Sequence, residues 1–227
     1  MRYAIYFAPR ENSALWLAGC QWLGRDATND AALEQPAVSD MEATIVRELT
    51  AAPRRYGFHA TLKAPFRLIG GTRPSVLLDA VADFANRHKA IYLPALKVGK
   101  LGSFLALHIP GSCEDLQMLA ATCVREFDRF RVPESISDQE RRAEGLDERQ
   151  RAHLENWGYP YVMDQWRFHM TLTNALTNAQ VPILEAFLGD WFAPVLAEPV
   201  SLQDLCVYVE PEPGSNFIIA GRFPLTG

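Results

Sequence analysis

The chain has 227 residues, 48% hydrophobic and 22% charged, enough for a sizeable core and ordinary for an enzyme-sized globular protein. A net charge of −5 weighs against long nucleic acid as the main partner, since that asks for a basic face, but it leaves room for a small phosphorylated ligand in a local basic pocket. Four scattered cysteines (Cys20, Cys113, Cys123, Cys206) without CxxC spacing point to a reduced, cytoplasmic setting, and no 18-residue apolar run suggests a membrane span.

The β-rich run 3–7 reads as a strand ending before Pro9. Residues 13–24 read as a short helix with Ser13 or Asn12 as cap and Gly24 as stop. The polar stretch 25–40 reads as a loop, followed by an extended segment that ends near Pro65. Residues 73–89 form a helix with Pro74 in its first turn; 91–99 and 103–109 are strands joined by a turn at 100–102. Residues 112–130 carry an amphipathic pattern, with Ser112 placed to cap. Residues 134–156 are charge-rich and helical, interrupted at Gly145, and read as a solvated excursion with His153 on its surface. A helix over 178–192 and strands over 202–210 and 216–223 complete the chain, with a turn at 211–215.

Two segments repeat one another. "YGFHATLK" at 56–63 and "WRFHMTLT" at 166–173 share Phe-His-x-Thr-Leu, 110 residues apart (169 − 59). Each is followed by helix, strand and strand, so the architecture reads as an internal duplication. The expectation is one bilobal α+β domain over 1–227, with a pseudo-two-fold axis and two antiparallel sheets flanking a cleft, helices outside. One lobe holds the 53–68 motif and the other the 166–173 motif, with a helical excursion over about 112–156.

On a strand, residues i and i+2 share a face. His59 and Thr61 therefore point one way, as do His169 and Thr171, while Phe58, Ala60, Leu62 and Phe168, Met170, Leu172 anchor the core. Two imidazoles and two hydroxyls facing one cleft suit phosphodiester cleavage. A neutral histidine can take a proton while a charged one gives a proton, and hydroxyls can hold non-bridging oxygens. Continued alternation adds Lys63 and Arg167 as phosphate-binding cations, and Phe104, His108 and Tyr208 as cleft walls for a sugar or base. No metal and no cofactor is expected: zinc would need a third protein ligand, and none stands at short spacing from either histidine. The sequence carries no signal for an oligomeric state.

The pair "HATL" and "HMTL" resembles the signature of the two-histidine (2H) phosphoesterase superfamily. Over nearly the whole chain, "RYAIYFAP" (2–9), "PRRYGFHATLKAPFRL" (53–68), "GYPYV" (158–162) and "VEPEPG" (209–214) are similar to a bacterial family labelled phosphonate-metabolism proteins. The resemblance implies metal-independent opening of a small cyclic phosphodiester of nucleotide or phosphoribosyl type. It gives His59 and His169 the acid and base roles, with Thr61 and Thr171 as phosphate ligands. It also implies a place near carbon–phosphorus bond breakdown, where a ribose cyclic phosphate is an intermediate. The rival expectation is a non-catalytic module that binds a phosphorylated ligand or an RNA end.

Overall fold

In the computed structural model, which describes residues 1–227, the N-terminal β-formers make β1, Arg2–Phe7. Ser13 caps α1, Ala14–Leu23, by accepting the Trp16 N–H, and Gly24 ends it in the left-handed region. Two short helices then appear where an extended approach to the motif was expected: α2, Ala43–Leu49, and α3, Ala51–Tyr56. Their junction is held from outside. Asn174 donates to Glu48 O and accepts from Ala52 N–H, so a residue just past the second motif ends one helix and starts the next.

The first motif runs into β2, Ala60–Phe66, and then α4, Pro74–Ala85, the short β3, Ile91–Tyr92, β4, Lys97–Leu101, and β5, Phe104–His108. α5, Glu114–Phe127, starts at Cys113 without a side-chain cap, in place of the Ser112 cap expected. The excursion folds as α6, Ile136–Arg142, and α7, Glu148–Trp157, the latter with a capping box from Asp147 and Gln150. The second motif forms β6, His169–Thr171, followed by α8, Gln180–Leu196, β7, Ser201–Leu202, β8, Asp204–Glu210, and β9, Ile218–Pro224.

The fold is α+β with two antiparallel sheets, as the sequence suggested, but the sheets divide the strands in an unforeseen way. Seven strands form one sheet in the order β4-β5-β6-β2-β1-β8-β9, and β3 pairs with β7 in a second. The duplicated units are interleaved. The hairpin β4-β5 of the first unit extends the motif strand β6 of the second, while α4 of the first unit packs on β8 and β9 of the second. The pseudo-two-fold axis is visible in the register. Ala60 pairs with Met170, the equivalent residue of the other motif, and Ile91 pairs with Leu202 across the two short strands. The cleft therefore does not lie between two sheets: the motif strands are direct neighbours in one.

Glu210, at the end of β8, ties the sheet to the approach of the first motif. It is 1% exposed and accepts from Arg2, Arg55 and the Gly214 N–H. The Arg2 hydrogen bond, with help from Gly214 and Arg55, holds its carboxyl down at about 2. The carboxylate stabilises the fold above its ordinary pKa, and the contribution is lost as pH falls through about 2. Glu210→Gln leaves two half-buried guanidinium groups without their anion. It should cost on the order of 1–3 kcal/mol, with the loss shrinking in strong acid, measured by chemical denaturation across pH. Equal stability of variant and parent at neutral pH would show the cluster to be inert. No helix is long and apolar enough to cross a membrane.

Candidate active site

Antiparallel pairing of Ala60 with Met170 sets His59 across from Thr171 and Thr61 across from His169. These four side chains share one face, while Ala60 and Met170 point to the core at 0% exposure. The two histidines are diagonal neighbours, a relation that places residues roughly 7–8 Å apart, with the Cβ atoms somewhat closer, close enough to flank one phosphate. Registers on either side extend the row. Tyr6 lies across from Thr61, Cys206 from Tyr6, and Arg222 from Cys206; on the other side His108 lies across from His169 and Lys97 from His108.

Both imidazoles are fixed by the same local bond. His59 Nδ1 lies 2.9 Å from Gly57 O, and His169 Nδ1 lies 2.9 Å from Arg167 O. A backbone carbonyl can only accept, so Nδ1 carries the hydrogen and each neutral ring keeps its Nε2 lone pair for the open face. His59 Nε2 sits 3.2 Å from Thr61 Oγ1. Burial lowers both histidines from their ordinary value, His59 to about 4, with the carbonyl bonds opposing. The neighbouring histidine adds to the shift in each case: His169 for His59, and His108 for His169.

The two sides differ in their surroundings. His59 is stacked on Tyr6 at 3.8 Å between ring centroids and is flanked by Tyr56 and Tyr208 at 6.1 and 6.0 Å. His169 and Thr61 open onto a cavity of about 400 Å³ lined also by Phe104, Tyr159, Tyr161, Gln150, Gln165, Trp166 and Arg167. Trp166 Nε1 donates to Thr61 O at 2.8 Å, tying the second motif's approach to the first motif's strand.

Of the further residues expected here, Phe104 and Arg167 line this cavity, Phe104 at 5.8 Å from His169 between centroids. His108 lines an adjoining one. Lys63 and Tyr208 do not line either. A β-bulge lies between the Thr61–Tyr6 and Lys63–Ile5 pairs, so alternation breaks and Lys63 turns to the opposite face. There it is 3% exposed, bonded to Val124 O and Asp128 beneath α5. Tyr208 lies on the expected face but is 0% exposed, behind Tyr6, and its hydroxyl has no hydrogen-bond partner. It backs the His59 pocket rather than walling a cleft. His153, expected on the surface, is buried and bonds Asp164 at 2.8 Å.

Tyr159 and Tyr161 were missed by the residue-level reading. Gly158 ends α7 in the left-handed region, and the aromatic-rich stretch after it passes over the site. An aromatic pair directly after a glycine helix stop is the signal that could have found them. No group of three His, Cys, Asp or Glu side chains is arranged to hold a metal ion.

The family model described as "Protein of unknown function (DUF1045)" matches residues 61–218. A protein of Janthinobacterium sp. (strain Marseille) named ribose 1,5-bisphosphate phosphokinase PhnN is 39% identical over 231 residues, covering 100% of this chain and 51% of that protein. The protein of the same name from Laribacter hongkongensis (strain HLHK9) is 34% identical over 218 residues, covering 96% and 50%. The chain thus spans about half the length of the curated relatives it matches. Among solved structures, one described as a crystal structure of phosphoesterase aligns with a TM-score of 0.43 at 12% identity, covering 100% and 99% of the two chains. E. coli LigT complexed with NADP+ aligns at 0.40 and 11% identity, covering 100% and 98%.

Proposed function

Starting from the premise that the chain belongs to the DUF1045 family, we propose that it is a metal-independent phosphoesterase that opens a small cyclic phosphodiester of nucleotide or phosphoribosyl type. The observation that carries the reading is the Ala60–Met170 pairing, which gathers two His-x-Thr pairs on one face, each ring held through Nδ1 and the His59 Nε2 in reach of the Thr61 hydroxyl. One imidazole, neutral, takes a proton from water as the oxygen bonds to phosphorus. The other, protonated, gives its proton to the sugar oxygen as the P–O bond breaks, leaving a phosphomonoester. Thr61 and Thr171 hydroxyls donate to the non-bridging oxygens through the displacement.

The names of the curated relatives bear on the substrate. A cyclic 1,2-phosphodiester of ribose 5-phosphate, opened at the bond to O2, yields ribose 1,5-bisphosphate. A hydrolase joined to a protein that phosphorylates that product would hand it on directly. This chain carries the paired histidines and contains no G-x-x-x-x-G-K-[ST] phosphate loop.

The test is a panel of cyclic phosphodiesters (2′,3′-cyclic nucleotides, ribose 1,2-cyclic phosphate and its 5-phosphate) with His59→Ala as control and EDTA throughout. Turnover of at least one compound that survives the chelator and disappears in the control is expected. Binding without turnover by the wild-type protein would convert the reading to the phospholigand-binding module. Activity lost on chelation and restored by a divalent metal would move it to the metallohydrolases.

A further inference from the structure

The pseudo-two-fold symmetry is broken where the motifs begin. Aligning "YGFHATL" with "WRFHMTL" sets Gly57 against Arg167. On the His59 side nothing larger than glycine fits. Gly57 has φ +82°, and a Cβ there would meet Ala27 Cβ at 2.7 Å. On the His169 side the same position carries a guanidinium. It makes no ion pair and is the only arginine or lysine lining the active-site cavity or the one beside it. The acid–base pair is therefore symmetric while its surroundings accept negative charge on one side only.

The adjoining cavity, about 340 Å³, shares Leu101, Trp166 and Arg167 with the first and adds His108, Ser112 and Gln117. His108 is the cross-strand neighbour of His169, yet its ring lies over Gly99, where a Cβ would fall 2.5 Å from Nε2. A glycine on the next strand thus makes room for the imidazole. Asp164, the one carboxylate in this cavity, is ion-paired with Arg149 and hydrogen-bonded to His153.

Resting on the phosphoesterase reading above, we propose that the Arg167–His108 cavity is a second phosphate subsite. The preferred substrate is then a cyclic phosphodiester of a sugar that carries a separate phosphomonoester, not an unphosphorylated cyclic nucleotide. The scissile diester lies between His59 and His169, and the distal phosphate accepts hydrogen bonds from the Arg167 guanidinium, with the Ser112 hydroxyl and the Gln117 amide as further donors and His108 as a wall of the cavity. Arg167 has both duties of a junction: its carbonyl sets the His169 tautomer and its side chain faces both cavities.

The experiment compares ribose 1,2-cyclic phosphate with its 5-phosphate. Wild-type kcat/KM should favour the 5-phosphate roughly 10- to 100-fold, the range expected for one charge-assisted bidentate contact. Arg167→Gln should erase most of that ratio. A wild-type ratio near one, or an Arg167→Gln variant that slows both substrates by the same factor, overturns the proposal, the second result assigning Arg167 to the scissile phosphate. A turnover-free readout separates this from the parent reading: calorimetric titration with ribose 5-phosphate and with ribose. Ribose 5-phosphate should bind the wild-type protein and lose that binding in Arg167→Gln. If neither diester is cleaved but this binding pattern holds, the hydrolase reading fails and the subsite stands; if ribose 5-phosphate binds no better than ribose, the subsite fails even where both diesters are cleaved.

Discussion

His59→Ala and His169→Ala each lower kcat on a cleaved cyclic phosphodiester by ~10²–10⁴-fold, the usual contribution of one positioned acid or base. The expectation rests on geometry common to both residues. Each ring is locked by a 2.9 Å bond from Nδ1 to the carbonyl two residues earlier, and each presents Nε2 to the same face. Removing either leaves half of a two-proton relay, so the double variant should lose less than the product of the single losses. Thr61→Ala and Thr171→Ala remove oxygen ligands but no proton carrier, and should cost less. Because both histidines are half-buried, His→Ala also opens space beside Tyr6 or Phe104. Thermal melts and His→Gln variants therefore accompany the kinetics: a correctly folded His59→Gln protein at full activity would reduce the repeated Phe-His-x-Thr-Leu to a folding element.

The repeat was legible because it is local. Strand alternation within Phe-His-x-Thr-Leu assigns the core and the open face from five residues, and the structure follows it through Phe58, Ala60 and Leu62 and through Phe168, Met170 and Leu172. What was not legible depends on partners far along the chain. The bulge that turns Lys63 away arises from its pairing with Ile5, on a strand 58 residues earlier (63 − 5). α2 and α3 form across a junction closed by Asn174, and Pro53 sits early enough in α3 to be tolerated. Tyr208 was given its correct face, but burial is decided by what lies above that face, and Tyr6 and the first motif cover it. Likewise two motifs in one chain suggest two lobes, whereas interleaving is set by which edge each hairpin finds. Ala60 and Met170 meet because both are core residues at equivalent positions of neighbouring strands, and nothing local to either motif specifies that neighbour.

The pH dependence of kcat/KM should be a bell with its maximum on the acid side of 6.5. Burial is the leading cause that lowers both imidazoles in the free protein, and the shift takes His59 to about 4. A productive state needs one neutral and one protonated ring, and the upper limb marks loss of the second proton from the coupled pair. With both groups below their ordinary value, that limb falls below 6.5, so kcat/KM should drop about tenfold per pH unit above it. The lower limb marks protonation of the base and lies near or below the value set for His59. The more crowded setting of His59, stacked on Tyr6 and flanked by two further tyrosines, makes it the better neutral base, while His169, open to the cavity, is the better acid. The profile of kcat itself should move to higher pH, because a bound phosphodiester anion between the rings favours imidazolium and offsets the desolvation. In His169→Gln the descending limb should vanish and in His59→Gln the ascending one, on whatever activity remains. A rate that instead climbs steadily from pH 7 to 9 would require a base of higher pKa, such as a metal-bound water or a lysine, and would remove the paired histidines from the chemistry.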